Sequence, residues 1–258
     1  MELDLADHHD RMTYFYGYYH ELGVQLVLGA SVQPGDTFVD VGANAGMITL
    51  LAARLVGPEG RVVAFEPNPL AMARLRSSIA ANNLLWVTPF EMGLSDAPGR
   101  LTLRVPSGWD STCGTFGHVA PADGPIGIQE HKASVARGDD ILFEIVSAPL
   151  AVKIDVEGFE QKVVNGLEAT ISQFSPLIIT EVLAENLTRA GSTVKPLFDT
   201  MARLGYFPFG IELSVLLRSR KLHLRPVRPV HEDPPENVVW LHPGSAHYER
   251  LQPWIRPS

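Results

Sequence analysis

Residues 37–46 read "TFVDVGANAG". β-Branched and apolar residues carry a strand into Asp40 and Val41, and two glycines then bracket a short polar turn. Residues 45–56, "AGMITLLAARLV", follow as a helix that is apolar on most faces and therefore expected to be buried. A strand running through a glycine turn into a helix opens a doubly wound α/β domain, and the turn delivers a ligand to the helix N-terminus. Gly42 and Gly46 allow close approach because no Cβ stands in the way. A dinucleotide fingerprint would read G-x-G-x-x-G, but Asn44 occupies the place of the central glycine. Asp40 adds a carboxylate just before the turn. A pyrophosphate would be repelled by that charge, whereas a ligand bearing an amino group and a sulfonium would not. The pattern favours S-adenosylmethionine over a dinucleotide.

The following strand agrees. "RVVAFEP" (61–67) ends at Glu66, where a carboxylate can accept hydrogen bonds from both ribose hydroxyls, and Asn68 can assist from the next turn. Further outward, helical periodicity covers 69–83, a third strand lies within 86–96, and 99–105 alternates as an exposed strand should. A short helix is expected over 139–145, a buried strand over 150–155, a helix over 157–171, a strand over 176–182 and a helix over 193–206. Strands near 207–217 and 237–242 complete the pattern. Strands alternating with helices imply a mainly parallel sheet with its ligand at the carboxyl ends of the strands.

Two regions depart from this rhythm. Residues 1–35 form a leader whose aromatics Tyr14, Phe15, Tyr16, Tyr18 and Tyr19 suit either a lid or a helix packed on the sheet edge. Residues 36–258 are assigned to the catalytic domain, interrupted near 106–135 by a Gly/Pro-rich stretch read as a long insertion or an irregular substrate-facing region.

The stretch "AVKIDVEGFEQ" (151–161) places Asp155, Glu157 and Glu160 at the end of a buried strand. A metal site, a general base, a cofactor clamp and a solvated helix start all fit three such acids. Asp155 ends the strand on the ligand-binding rim and is the foremost catalytic candidate; Glu157 follows it. Glu160 sits one turn into the helix, where dipole complementarity and solvent exposure suffice. A divalent cation on Asp155 and Glu181 is a rival account. It is not favoured, since the paired acids of a tight site are not evident, and no metal ligand is assigned.

"GDTFVDVGANAGMITLLAA", "VVAFEPNP", "GLSD", "VKIDVEGFE" and "PLIITEV" stand in the order seen in FkbM-type methyltransferases, and the chain resembles that family from about residue 10 to about 242. The resemblance implies a class I methyltransferase fold: a seven-stranded, mainly parallel Rossmann-like sheet with its last strand antiparallel and helices on both faces. It implies S-adenosylmethionine as cofactor and O-methylation of a sugar or polyketide-type natural product. Asp40, Gly42, Asn44 and Gly46 match the first cofactor motif, and Glu66 the ribose acid. Gly93, Leu94, Ser95 and Asp96 match the segment beside the adenine. The insertion matches no family pattern, so the acceptor stays open.

Composition limits the alternatives. The 258 residues are 45% hydrophobic and 19% charged, ordinary for a folded domain. A net charge of −8 argues against nucleic acid as the main partner. No apolar run reaches the length of a membrane span, and the first residues lack a signal-peptide core, so a cytoplasmic protein is expected. The lone Cys113 excludes an intramolecular disulfide. Oligomeric state is left open, a dimer being compatible. Against the leading reading stand an NAD-type oxidoreductase, disfavoured by Asn44, and a non-catalytic adenosyl-binding protein.

Overall fold

The computed structural model describes residues 5, 8–16, 19–106, 114–118, 127–216, 219–228 and 234–256. Its main sheet has eight strands. In chain order these are β1 (Thr37–Val41), β2 (Arg61–Phe65), β3 (Val87–Phe90), β7 (Leu150–Ile154), β8 (Leu177–Glu181), β9 (Phe207–Leu216), β10 (Ser219–Pro226) and β11 (Asn237–Leu241). A smaller sheet holds β4 (Gly93–Ser95), β5 (Gly99–Pro106) and β6 (Ile128–Arg137). The helices are α1 (His8–Tyr16), α2 (Leu22–Ser31), α3 (Met47–Val56), α4 (Pro69–Ala81), α5 (Gly138–Leu142), α6 (Glu160–Gly166), α7 (Glu168–Phe174), α8 (Ala184–Arg189), α9 (Val194–Arg203) and α10 (Ala246–Leu251).

The main sheet runs β10-β9-β11-β8-β7-β1-β2-β3. β3, β2, β1, β7 and β8 pair in parallel, and β11 inserts antiparallel between β8 and β9. This is the expected class, with an antiparallel strand where the resemblance placed one. The difference is the eighth strand: β10 folds back on β9 as a hairpin edge. β1 leads outward to β2 and β3 on one side, while β7 and β8 build the other side. The strand order therefore reverses between β1 and β7, where a crevice opens in such sheets.

The central strands β1 and β7 are buried along their whole length, as expected of strands covered on both faces. Alternate residues serve opposite layers. Val39, Val41, Val152 and Ile154 face one core cluster with α6 and α9. Phe38, Ala151, Leu177 and Ile179 face the other, where α2 contributes Val24, Val27 and Leu28 and α3 contributes Ile48 and Ala52. At the start of β1, Asp36 accepts from Arg250 of α10, which fastens the C-terminal helix to the sheet.

Three local expectations are corrected. The strand expected within 86–96 is two strands in two sheets, because the chain leaves the main sheet after Phe90. The supposedly irregular 106–135 contains most of β6, a ten-residue strand. Only Ala133 and Val135 of it are buried, so no apolar alternation marked it. The helix expected over 157–171 begins at Glu160 and breaks at Leu167. There Gly166 packs directly on the backbone of Ser95, and a Cβ would stand 2.0 Å from its carbonyl oxygen. Residues 107–113 and 119–126 of the insertion, including Cys113, lie outside the described residues, as does Tyr18. Among the described residues, no helix is long and apolar enough to cross a membrane.

Candidate active site

A cavity of about 270 Å³ opens at the carboxyl ends of β1, β2, β7 and β8. Strand parity explains its chemistry. Asp40 of β1 and Lys153 of β7 are register partners on the α2/α3 face, and Glu66, Asp155 and Glu181 follow the same parity on their strands. All five line the cavity, as do Asn44, Gly93, Leu94 and Glu157.

The β1 turn is built around Glu66. Its Oε2 accepts from the Asn44 N–H at 2.8 Å and its Oε1 from the Asn68 N–H at 2.7 Å, so one buried carboxylate fixes both turns. Asn44 is held in the left-handed region at φ +50°, and its Oδ1 accepts from the Ala45 N–H. Asn68 caps α4 by accepting from the Leu70 N–H and does not line the cavity. Asp40 is fully buried; its Oδ2 accepts from Thr49 Oγ1 at 2.5 Å, while its Oδ1 has no hydrogen-bond partner among the described residues. Among the described residues no side chain caps α3, whose first residues Met47 and Ile48 border the cavity.

The glycines have backbone reasons. A Cβ on Gly42, at φ +83°, would stand 1.8 Å from the Asp155 carbonyl oxygen. A Cβ on Gly46 would meet Leu75 Cδ1 at 2.4 Å. Gly42 thus lets the ends of β1 and β7 touch, while Gly46 seats α3 against α4 and is not part of the lining.

On the rim, the Asp155 N–H donates to the Val41 carbonyl, continuing the β1–β7 ladder. Its Oδ2 accepts from Lys153 Nζ at 2.6 Å. Glu157 adopts φ +53°, a strained conformation of the kind that clusters at functional sites. It is held there on two sides: its carbonyl accepts from Thr115 Oγ1 and its Oε2 from Asn186 Nδ2. Asp155, Glu157 and Glu181 bring carboxylate oxygens within 4.8 Å of one another.

Residues 40–208 match the methyltransferase FkbM domain. The chain belongs to the FkbM methyltransferase family. It is 27% identical over 209 residues to the 2-O-methyltransferase NoeI of Sinorhizobium fredii, covering 74% of this chain and 82% of that protein. It is 31% identical over 164 residues to the 31-O-demethyl-FK506 methyltransferase FkbM of Streptomyces tacrolimicus, covering 54% of this chain and 62% of that protein. A solved methyltransferase FkbM from Methylobacillus flagellatus superposes with a TM-score of 0.47 at 17% identity, covering 84% of this chain and 50% of that one. The protein is a SAM-dependent methyltransferase.

Within this FkbM-family site, Asp40, Gly42, Asn44, Glu66, Gly93, Leu94, Asp155 and Glu157 converge on one cavity. Gly46, Asn68, Ser95 and Asp96 do not line it. Ser95 is buried in β4 with its hydroxyl donated to the exposed Asp96. Glu160 is buried rather than solvated: its Oε1 accepts from the Val156 and Gly158 N–H groups and braces the 155–158 turn. His118 is exposed, and His131 lies in β6; neither lines the cavity. Tyr14 and Phe15 are exposed, whereas Tyr19 borders the cavity. Glu21, Lys153 and Glu236 also line it and were not singled out in the sequence as site residues. A lysine inside the buried strand "LAVKI" was the available signal, since such a charge needs buried partners.

Burial raises the pKa of these carboxyls. It pushes Glu21 and Glu66 up to about 7, and Glu160 likewise to about 7. It raises Asp40 too. Burial, then Asp155, Glu157 and Glu160, push Glu181 up to about 10. In each case the folded pKa exceeds that of the unfolded chain, so the folded state binds more protons above about pH 4.5 and stability falls as pH rises through the folded values. The ligand-free protein is therefore expected to lose Tm steadily between about pH 5.5 and 8 in calorimetry. A Tm that rose over that interval would show these groups to be ionised at no cost.

Proposed function

We propose that this protein transfers the methyl group of S-adenosylmethionine to a hydroxyl of a small polyhydroxylated molecule, a glycoside or polyketide-type intermediate. The observation that carries the reading is the rim of the cavity, where Asp155 and Glu157 stand beside the cofactor turn. Two relatives, one named a 2-O-methyltransferase and the other a 31-O-demethyl-FK506 methyltransferase, support it.

The residues present fit the cofactor. Asp40 offers a buried, unpartnered oxygen suited to a cationic or hydrogen-bond-donating group. Glu66 stands where a ribose acid is required, and the uncapped start of α3 suits a carboxylate. Gly93 and Leu94 supply an apolar flank. When bound, S-adenosylmethionine supplies an electrophilic methyl group on a sulfonium. The chain then has to aim the acceptor and remove its proton. Fixed orientation can contribute up to about 7–11 kcal/mol in favourable cases, and a positioned base a further factor of roughly 10²–10⁴. On this reading Asp155 takes that proton, and Glu157 and Glu181 align neighbouring hydroxyls.

The triad of Asp155, Glu157 and Glu181 also has the donor chemistry of a divalent-cation site, which supports a second reading. Both are tested by one assay of methyl transfer to neutral glycosides and macrolide-type polyols with and without EDTA. The proposed reading expects turnover that survives chelation. Loss of turnover restored by Mg²⁺ would assign the three carboxylates to a cation, and no turnover on any hydroxylated acceptor would remove the acceptor class.

A further inference from the structure

We propose that Phe116 is the acceptor platform of this site: its ring, backed by Phe159, stacks on the apolar C–H face of an uncharged cyclic polyol, so that cyclic acceptors are taken in preference to open-chain ones. The proposal rests on the reading of the cavity as a site of O-methylation of hydroxylated small molecules, and it adds the group that selects the acceptor's shape.

Residues 114–118 belong to the Gly/Pro-rich stretch between β5 and β6, and three elements hold them. On β5, Arg104 exchanges both backbone hydrogen bonds with Thr115, at 2.9 and 3.0 Å, and its Nη1 donates to the Gly117 carbonyl at 3.1 Å. On α8, the Arg189 carbonyl accepts from the His118 N–H at 3.0 Å. In the turn after β7, the Glu157 carbonyl accepts from Thr115 Oγ1 at 2.9 Å. The residue next to Phe116 therefore braces the turn that carries the rim acids, and the ring is fixed relative to them.

Phe116 and Phe159 both line the cavity, with their ring centroids 5.3 Å apart and their planes at 57°. Phe159 is buried, and Lys162 Nζ lies over its ring at 5.0 Å from the centroid, so a cation already occupies an aromatic face there. Phe116 is only half-buried. A Cβ on Gly93 would stand 2.8 Å from Phe116 Cε2 and 3.2 Å from its Cζ, so the glycine is what lets the ring edge lie against β4. Phe116 thus stands between the Gly93–Leu94 flank and the rim at Glu157, with Phe159 behind it.

The rest of the lining defines what such a ring can receive. Asp155, Glu157, Glu181 and Glu236 border the same cavity, and Lys153 is the only Lys or Arg among its described lining residues. An anionic acceptor meets a surplus of carboxyls, whereas hydroxyls can donate to them. Closing a polyol into a ring sorts its surface: hydroxyls project from the edge and C–H groups gather on a face. Those hydrogens carry partial positive charge and suit the negative face of an aromatic ring. An open chain has to be ordered before it presents the same two surfaces, which costs conformational entropy on binding. An aromatic wall beside a few placed polar groups is the usual make-up of a small-molecule site.

The test compares kcat/KM of wild type, Phe116→Ala, Phe116→Leu and Phe116→Tyr on cyclic acceptors (neutral methyl glycosides and macrolide-type polyols) and on open-chain alditols. Calorimetry with S-adenosylhomocysteine runs alongside, and thermal unfolding checks that each variant folds. Wild type is expected to favour cyclic acceptors. For these, kcat/KM is expected to fall about 10- to 100-fold in Phe116→Ala, chiefly through KM, and about three- to tenfold in Phe116→Leu, which keeps apolar bulk but loses the ring face. Phe116→Tyr, which keeps that face, is expected to stay close to wild type. Turnover of alditols and affinity for S-adenosylhomocysteine are expected to change little in any variant. If Phe116→Ala does not fold, Phe116→Leu against Phe116→Tyr carries the test. Wild-type turnover of cyclic acceptors by Phe116→Leu, an equal fall for cyclic and open-chain acceptors, or a parallel loss of S-adenosylhomocysteine affinity would overturn the proposal and make Phe116 a packing residue. Those outcomes leave O-methylation standing, whereas a wild-type protein that methylates no hydroxylated acceptor would remove the acceptor class and this proposal with it.

Discussion

Asp155→Asn is expected to lower kcat by about 10²- to 10⁴-fold while leaving affinity for S-adenosylhomocysteine close to wild type. The substitution is nearly isosteric, so the backbone bond from the Asp155 N–H to Val41 and the approach of Gly42 to the Asp155 carbonyl are retained. What disappears is the carboxylate that accepts from Lys153 at 2.6 Å and faces the cavity. An amide cannot take the acceptor's proton. A fall in affinity for both acceptor and cofactor with kcat preserved would instead make Asp155 a binding group. Steady-state kinetics with a saturating acceptor, alongside calorimetry with S-adenosylhomocysteine, separates the two outcomes.

Gly42→Ala is expected to destabilise the protein by more than about 3 kcal/mol and to abolish methyl transfer. Two costs combine. Gly42 sits at φ +83°, where an L-residue carries strain. Its Cβ would also stand 1.8 Å from the Asp155 oxygen and 2.8 Å from the Asp155 carbonyl carbon, so the ends of β1 and β7 would have to part at the rim itself. Gly57→Ala is the control. Its φ of +65° shares the strain, but no heavy atom lies within 4 Å of the added Cβ. That variant should cost only about 1–3 kcal/mol, from backbone strain alone. Equal losses in urea denaturation would mean that close packing of β1 on β7 contributes nothing.

These two positions also show what the sequence could and could not convey. The strand–turn–helix unit at 37–56 and the acid at Glu66 were legible because local order fixes them. Gly42 was legible as a glycine but not for its reason: the ligand-approach argument concerns the turn alone, whereas the close contact is with Asp155, more than a hundred residues away. Ser95 and Asp96 were matched to the adenine segment, yet β4 belongs to the second sheet, and only Gly93 and Leu94 reach the cavity. Lys153 carried a sequence signal, a charge inside a buried strand, whereas Glu21 was brought to the cavity only by the docking of α2. Glu160 reads as a solvated helix start, but its carboxylate turns inward to accept two backbone N–H groups.

In the proposed function the cavity at the β1–β7 switch point is the S-adenosylmethionine site, gripped by Asp40 and Glu66. Titration calorimetry with S-adenosylhomocysteine and with NAD, on wild type and on Asp40→Asn and Glu66→Gln, tests it most directly. The expected result is one S-adenosylhomocysteine per chain, weakened about tenfold or more by each substitution, with no heat from NAD. Binding of NAD without S-adenosylhomocysteine, or wild-type affinity in both variants, would contradict it.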